Sequence, residues 1–259
     1  MQRTVLTLLG AAVALPAAAA GVLVLDWKLA KRGAQLAEDP PSEHDGRIDG
    51  AGPGLRMVWL GDSSVVGAGA SSTDTAIPRR VAAALDRPVD LSVLAVSGSR
   101  VHDVVVNQLE QVAALRPDVV LVSIGTNDVL YRTSRSEFRA DHERLVDGLP
   151  ADALVVFLGA CDMGACLRVP QPLRAVLGWW GRVLDSAARA EVEARGGMFL
   201  DMGEATGPEM RRHPDRYYAV DQFHSNDEGY RLWADMVVAA LRPALAERDR
   251  AGAVGDGHR

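Results

Sequence analysis

The 259-residue chain has only two cysteines, Cys161 and Cys166, so no disulfide framework can hold it together and its core must come from apolar packing. Basic clusters are missing as well. The net charge is -6 and the arginines are scattered, which argues against a nucleic-acid partner, since phosphate binding requires a basic patch. There is no Gly-x-Gly-x-x-Gly and no Gly-x-x-x-x-Gly-Lys, so the usual nucleotide loops are absent. The histidines His44, His102, His142, His213 and His258 form no metal-ligand spacing and are expected in a linker, on helix surfaces and in the tail. No metal or cofactor is implied. Internal repeats are also lacking.

Charge is absent from one long stretch. Thr4 to Leu25 is a run of twenty-two uncharged residues, and Asp26, Lys28, Lys31 and Arg32 follow it. As a helix this run would cross a hydrocarbon layer of about 30 Å. The run is expected to be an uncleaved membrane anchor through residues 4–25; the alternatives are a removed export signal, because Ala17 to Ala20 offers small residues for cleavage, and a buried helix of the folded domain, against which Pro16 in its interior counts. The basic flank after the run favours a cytoplasmic position for the rest of the chain. A Cys161–Cys166 disulfide would instead suit an oxidising compartment, although two core thiols are an equal alternative. The expectation is a membrane-anchored or secreted protein with an extracytoplasmic domain, acting as a monomer.

Residues 33–54 read as a linker, 55–246 as one folded domain and 247–259 as a flexible tail. Within the domain, short apolar runs alternate with helical periodicity. Strands are expected at Leu55 to Leu60, Val89 to Val96, Asp118 to Ile124, Ala153 to Leu158 and Gly197 to Asp201. Helices are expected from Pro78, from Val101 to Leu115, from Ser136 to Leu149, from Leu173 to Ala194 and from near Asn226 to Leu245. Repeated strand-helix units imply a parallel five-stranded sheet in a three-layer α/β/α sandwich.

Three segments stand where strands should end or helices begin, which is where an open α/β sheet keeps its crevice. Gly61-Asp62-Ser63 supplies a hydroxyl, and the Ser63 backbone N–H can face an oxyanion. Asn127, in Gly125-Thr126-Asn127-Asp128, carries an amide donor that never titrates, while Asp128 is expected to cap the next segment. Asp221 and His224 lie three apart, a spacing that lets a carboxylate hold one ring nitrogen while the other faces a nucleophile. Each has a bland rival: a helix cap at Ser63, a turn-stabilising Asn127, a surface His224. The Gly-x-Ser-x-Gly elbow is not present, since Val65 holds its last position.

Together these blocks resemble the SGNH, or GDSL-type, hydrolase family. Gly61-Asp62-Ser63 with Gly67, then Gly98, then Gly125-x-Asn127-Asp128, then Asp221-x-x-His224 match its blocks in order between about Met57 and Leu241. Leu94 and Ala95 stand where relatives often have an upstream Asn, and Ser225-Asn226 where Pro is frequent. The resemblance implies a flavodoxin-like fold and cleavage of small-molecule, lipid or glycan esters. It implies Ser63, Asp221 and His224 as catalytic residues, with Ser63, Gly98 and Asn127 as the oxyanion hole. An O-acyltransferase or an inactive envelope-binding module are the competing readings. The segment Cys161 to Trp180 is the expected variable wall of the crevice.

Overall fold

The computed structural model describes residues 21–32, 35–36 and 43–256. The expected anchor lies outside the described residues up to Ala20. Its last residues begin helix α1 (21–31). No helix among the described residues is long and apolar enough to cross a membrane.

A six-stranded sheet forms the middle layer. Its strands are β1 (Gly46–Ile48), β2 (Leu55–Gly61), β3 (Val89–Val93), β4 (Val119–Ser123), β5 (Leu154–Leu158) and β6 (Met198–Leu200), in the order β1-β3-β2-β4-β5-β6. All pairs are parallel except β1 with β3. Successive side chains on a strand point to opposite faces, so each buried strand feeds two cores. Met57, Trp59, Leu121 and Leu158 face one, against helices α3 (Ile77–Ala84) and α11 (Asp227–Asp256). Val58, Leu60, Val122 and Phe157 face the other, against α4 (Val101–Asn107), α7 (Arg135–Gly148) and α8 (Leu173–Ala194). This is the expected three-layer sandwich.

Several boundaries differ from the sequence reading, each for a local reason. The sheet has six strands and is mixed, because Gly46–Ile48, inside the expected linker, pairs antiparallel with Val89–Leu91. Three residues with an exposed face give no apolar pattern, and only edge pairing makes them a strand. His44 beside it is buried, its Nε2 2.9 Å from the Val66 carbonyl. His142 is also buried, packed at a tilt against the Phe138 and Phe157 rings rather than on a helix surface. The helix expected over Val101 to Leu115 breaks at Gln108 into α4 and α5 (Leu109–Leu115). Helices α9 (Met202–Arg212) and α10 (Pro214–Tyr217) were not foreseen, since Gly203, Gly207 and Pro208 mask the helical signal of α9. The last helix runs on through the expected tail to Asp256, and the Arg87–Asp249 ion pair at 3.2 Å fastens it.

Candidate active site

Strand β2 is flanked by β3 on one side and β4 on the other, so the chain reverses its direction of sheet building there. Helices leave such a switch point to opposite faces and open a crevice at the carboxyl ends of the strands. Residues that follow β2 and β4 converge on it. Gly61 ends β2 with φ at 152°, and a Cβ there would run into the Ser123 carbonyl oxygen of β4. Only glycine lets the two strand ends approach this closely. Asp62 then caps the four-residue helix α2 (Ser63–Val66): its Oδ1 accepts from the Ser64 N–H at 2.9 Å and the Ser64 hydroxyl at 2.8 Å. Ser63 is thereby the first helical residue, pointing outward from the strand end.

The turn bearing His224 comes from the far end of the domain. Gln222 sits in the left-handed region, with φ at 54°, and this folds Asp221 back over His224. One Asp221 oxygen accepts from the backbone N–H groups of Phe223 and His224, both at 3.0 Å. Its other oxygen lies 2.7 Å from His224 Nδ1, and His224 Nε2 lies 3.1 Å from Ser63 Oγ. Burial alone would raise the Asp221 carboxyl, but the His224 hydrogen bond and charge, with the two N–H groups, hold it below the usual carboxylate value. It therefore stays ionised and acts as an acceptor for the Nδ1 proton. Two donors from the segment after β5 brace the turn: Arg168 Nη1 to the Asp221 carbonyl at 3.2 Å and Cys166 Sγ to the Gln222 carbonyl at 3.4 Å.

Asn127 lies in α6 (Thr126–Tyr131), directly after β4. Its Nδ2 donates to the Ser99 carbonyl at 3.0 Å and to Asp62 Oδ2 at 3.3 Å, so its amide already ties the loops after β2, β3 and β4 together. Asp128 does not cap its own segment. It is buried and accepts from the Val101 N–H of α4 at 3.0 Å, and burial pushes its carboxyl up to about 6. Gly98 occupies an exposed turn after β3 with φ at 85°, apart from the residues that line the cavity at Ser63.

That cavity, of about 30 Å³, is lined by Ser63, Asn127 and His224, by Cys161 from the expected crevice wall, and by side chains that no motif singled out, including Tyr218 and Trp233. The Tyr218 hydroxyl and the Trp233 Nε1 are buried without a hydrogen-bond partner. Gln108, another unforeseen residue, pairs with the peptide group of Gly61. Nothing in its surroundings, a valine-rich helix, marked it. Asp62 is fully enclosed, and burial raises its carboxyl despite the Ser64 bonds. Cys161 and Cys166 are free thiols, so the disulfide alternative does not form and the pair says nothing of compartment.

The family model of the GDSL-like lipase/acylhydrolase family matches residues 59–232. A GDSL-like esterase of Mycobacterium tuberculosis is 31% identical over 204 residues, which cover 75% of this chain and 64% of that protein. The chain thus spans less than two thirds of that relative. Among solved structures, the psychrotrophic esterase EstA from Pseudoalteromonas superposes with a TM-score of 0.59 at 16% identity, covering 74% of this chain and 99% of that one. The lipase/acylhydrolase from Enterococcus faecalis gives a TM-score of 0.57 at 21% identity, covering 73% and 96%. An acetyl xylan esterase from Geobacillus stearothermophilus gives a TM-score of 0.57 at 20% identity, covering 74% and 95%. At these identities the solved structures speak to the fold alone.

Proposed function

The chain belongs to the GDSL-like lipase/acylhydrolase family, and on that premise we propose that it hydrolyses carboxylic esters through an acyl-Ser63 intermediate. The observation that carries the proposal is the continuous relay Ser63 Oγ, His224 Nε2, His224 Nδ1, Asp221 Oδ2, with gaps of 3.1 and 2.7 Å. In this reaction His224 takes the Ser63 proton as the oxygen attacks the ester carbonyl, and Asp221 stabilises the imidazolium. The imidazolium then protonates the departing alcohol. Water, deprotonated by the same ring, releases the acid and restores Ser63.

The oxyanion is held by the Ser63 N–H at the start of α2 and by Asn127 Nδ2, whose longer bond, to Asp62, is the one given up. Gly98 adds its N–H if the exposed turn after β3 closes on substrate. The cavity beside Ser63, about 30 Å³, has room for a group of roughly methyl to ethyl size, which favours short acyl chains. A fluorophosphonate probe tests the chemistry: it should label the native chain and fail to label Ser63→Ala. Hydrolysis rates for p-nitrophenyl esters should fall from acetate to octanoate. Equal labelling of the Ser63→Ala chain would remove Ser63 from the reaction.

A further inference from the structure

Eleven large apolar side chains are exposed among the described residues, and seven of them lie on just three helices: Val22, Val24, Leu25 and Leu29 on α1, Tyr131 on α6, and Val176 and Trp179 on α8. Trp179 is 56% and Tyr131 67% exposed. Between these helices runs an apolar groove of about 530 Å³, with Trp27, Leu130 and Trp180 in its walls. Its one charged lining residue is Arg132, and Lys31 sits 5.2 Å over the Trp27 ring at its margin. A chain with net charge -6 has thus kept acid out of this groove.

Helix α1 packs one side on the domain and leaves apolar side chains, interleaved with Lys28 and Lys31, exposed on the rest. Asp26 and Ala30 are buried against the domain, where Asp26 Oδ2 accepts from the Leu173 N–H at 3.1 Å and the Ala30 carbonyl accepts from Arg168 Nε at 3.0 Å. The opposite side offers Val22, Leu25 and Leu29 to solvent. Exposed apolar side chains interleaved with lysines on a helix suit the boundary between headgroups and acyl chains. The sequence that feeds this helix is the uncharged run from Thr4.

We propose that the face made by α1, α6 and α8 docks on an anionic phospholipid surface, so that the folded domain lies against the headgroups instead of hanging free from its N-terminal segment. Tryptophan and tyrosine favour the interfacial zone, where ring and polar edge are both satisfied, and Trp179, Trp180, Trp27 and Tyr131 line this one groove. Lys28, Lys31, Arg32 and Arg132 supply attraction to anionic lipid. The docked face is joined to the candidate active site twice. Helix α6 carries Asn127 at one end and Tyr131 at the other, and Arg168 bonds both the Ala30 carbonyl of α1 and the Asp221 carbonyl. An ester presented at the headgroup level is therefore within the domain's immediate surroundings.

The test uses the full chain with an environment-sensitive fluorophore on Val176→Cys and, separately, on Glu247→Cys, an exposed position of α11 in the other layer. Cys166 is buried and Cys161 half-buried in the lining of the Ser63 cavity, so the unsubstituted chain carried through the same labelling is the control for background. On vesicles of phosphatidylglycerol and phosphatidylcholine, the probe at 176 should blue-shift and brighten while that at 247 does not change. Pure phosphatidylcholine should give a weaker response. No response at either position, or equal responses at both, overturns the proposal. A probe at 176 that is already blue-shifted before vesicles are added, and unchanged after, also overturns it, since the groove would then be covered by residues 4–20 or by a second copy. None of these readouts depends on ester hydrolysis.

Discussion

Gln108 bonds both backbone groups of Gly61: its Oε1 accepts the Gly61 N–H at 2.9 Å and its Nε2 donates at 2.9 Å to the Gly61 carbonyl, which also accepts from the Val96 N–H at 3.1 Å. The residue is 1% exposed and stands at the break between α4 and α5, so a helix is interrupted where its side chain is turned onto the strand end below Ser63.

Gln108→Ala should therefore lower stability by about 1–3 kcal/mol, since the buried Gly61 N–H loses the Gln108 acceptor while the Gly61 carbonyl keeps the Val96 N–H at 3.1 Å. Gln108→Glu should fare little better, because it sets a second acceptor against the Gly61 carbonyl. Denaturant midpoints measure both. A midpoint unchanged in Gln108→Ala would mean that water replaces the amide without cost.

Asn127→Ala should slow turnover of p-nitrophenyl acetate by roughly two to three orders of magnitude while KM changes little, as expected for a donor used mainly in the transition state. The lost bond to the Ser99 carbonyl will also show as a lower melting temperature, which is read separately from kcat.

The two thiols should resist Ellman's reagent at neutral pH in the native protein and react after unfolding. Burial pushes Cys161 up to about 12 and Cys166 up to about 11, so neither forms thiolate at pH 7. Counting two thiols in denaturant without reductant checks that no disulfide is present.

Two buried groups tilt stability in opposite directions with pH. Burial raises Asp185 to about 7, against its bond from the Ala160 N–H, so the folded chain keeps a proton that the unfolded chain sheds near about pH 4. Its contribution is full below that value and is lost as pH rises through about 7. Asp185→Asn should accordingly gain on the order of 3 kcal/mol over the native chain at pH 8 and nothing at pH 4, by thermal melting. His142, lowered to about 4 by burial despite the Phe138 carbonyl, runs the other way. Its contribution is present above about 6.5 and fades as pH falls through about 4. His142→Gln should flatten the acid limb of the same melting curve.

The parallel strands were legible because burial on both faces forces unbroken apolar runs such as Val119-Val120-Leu121-Val122, and α8 was legible to the residue, Leu173–Ala194. Ser63, Asn127, Asp221 and His224 were legible because each follows a strand end or precedes a helix in a short, chemically explicit string. Strand β1 and the kink at Gln108 left no such trace, since each is made by partners elsewhere, an edge to pair with and a backbone to bind, while Gly203, Gly207 and Pro208 hide helix α9. His142 reads as polar in any pattern, and only the Phe138 and Phe157 rings around it make it a core residue.

Composition and order along the chain were enough to determine which chemical groups are available and at which strand ends they stand, because those depend on neighbours a few residues away. Tertiary structure alone decided that Ser63 meets a ring 161 positions later, that Asn127 spends its amide on Ser99 and Asp62, and that α1, α6 and α8 share one apolar face. Those relations depend on the sheet reversing its order at β2 and on layers closing over it, and no local pattern encodes a distance between segments that only the packed core brings together.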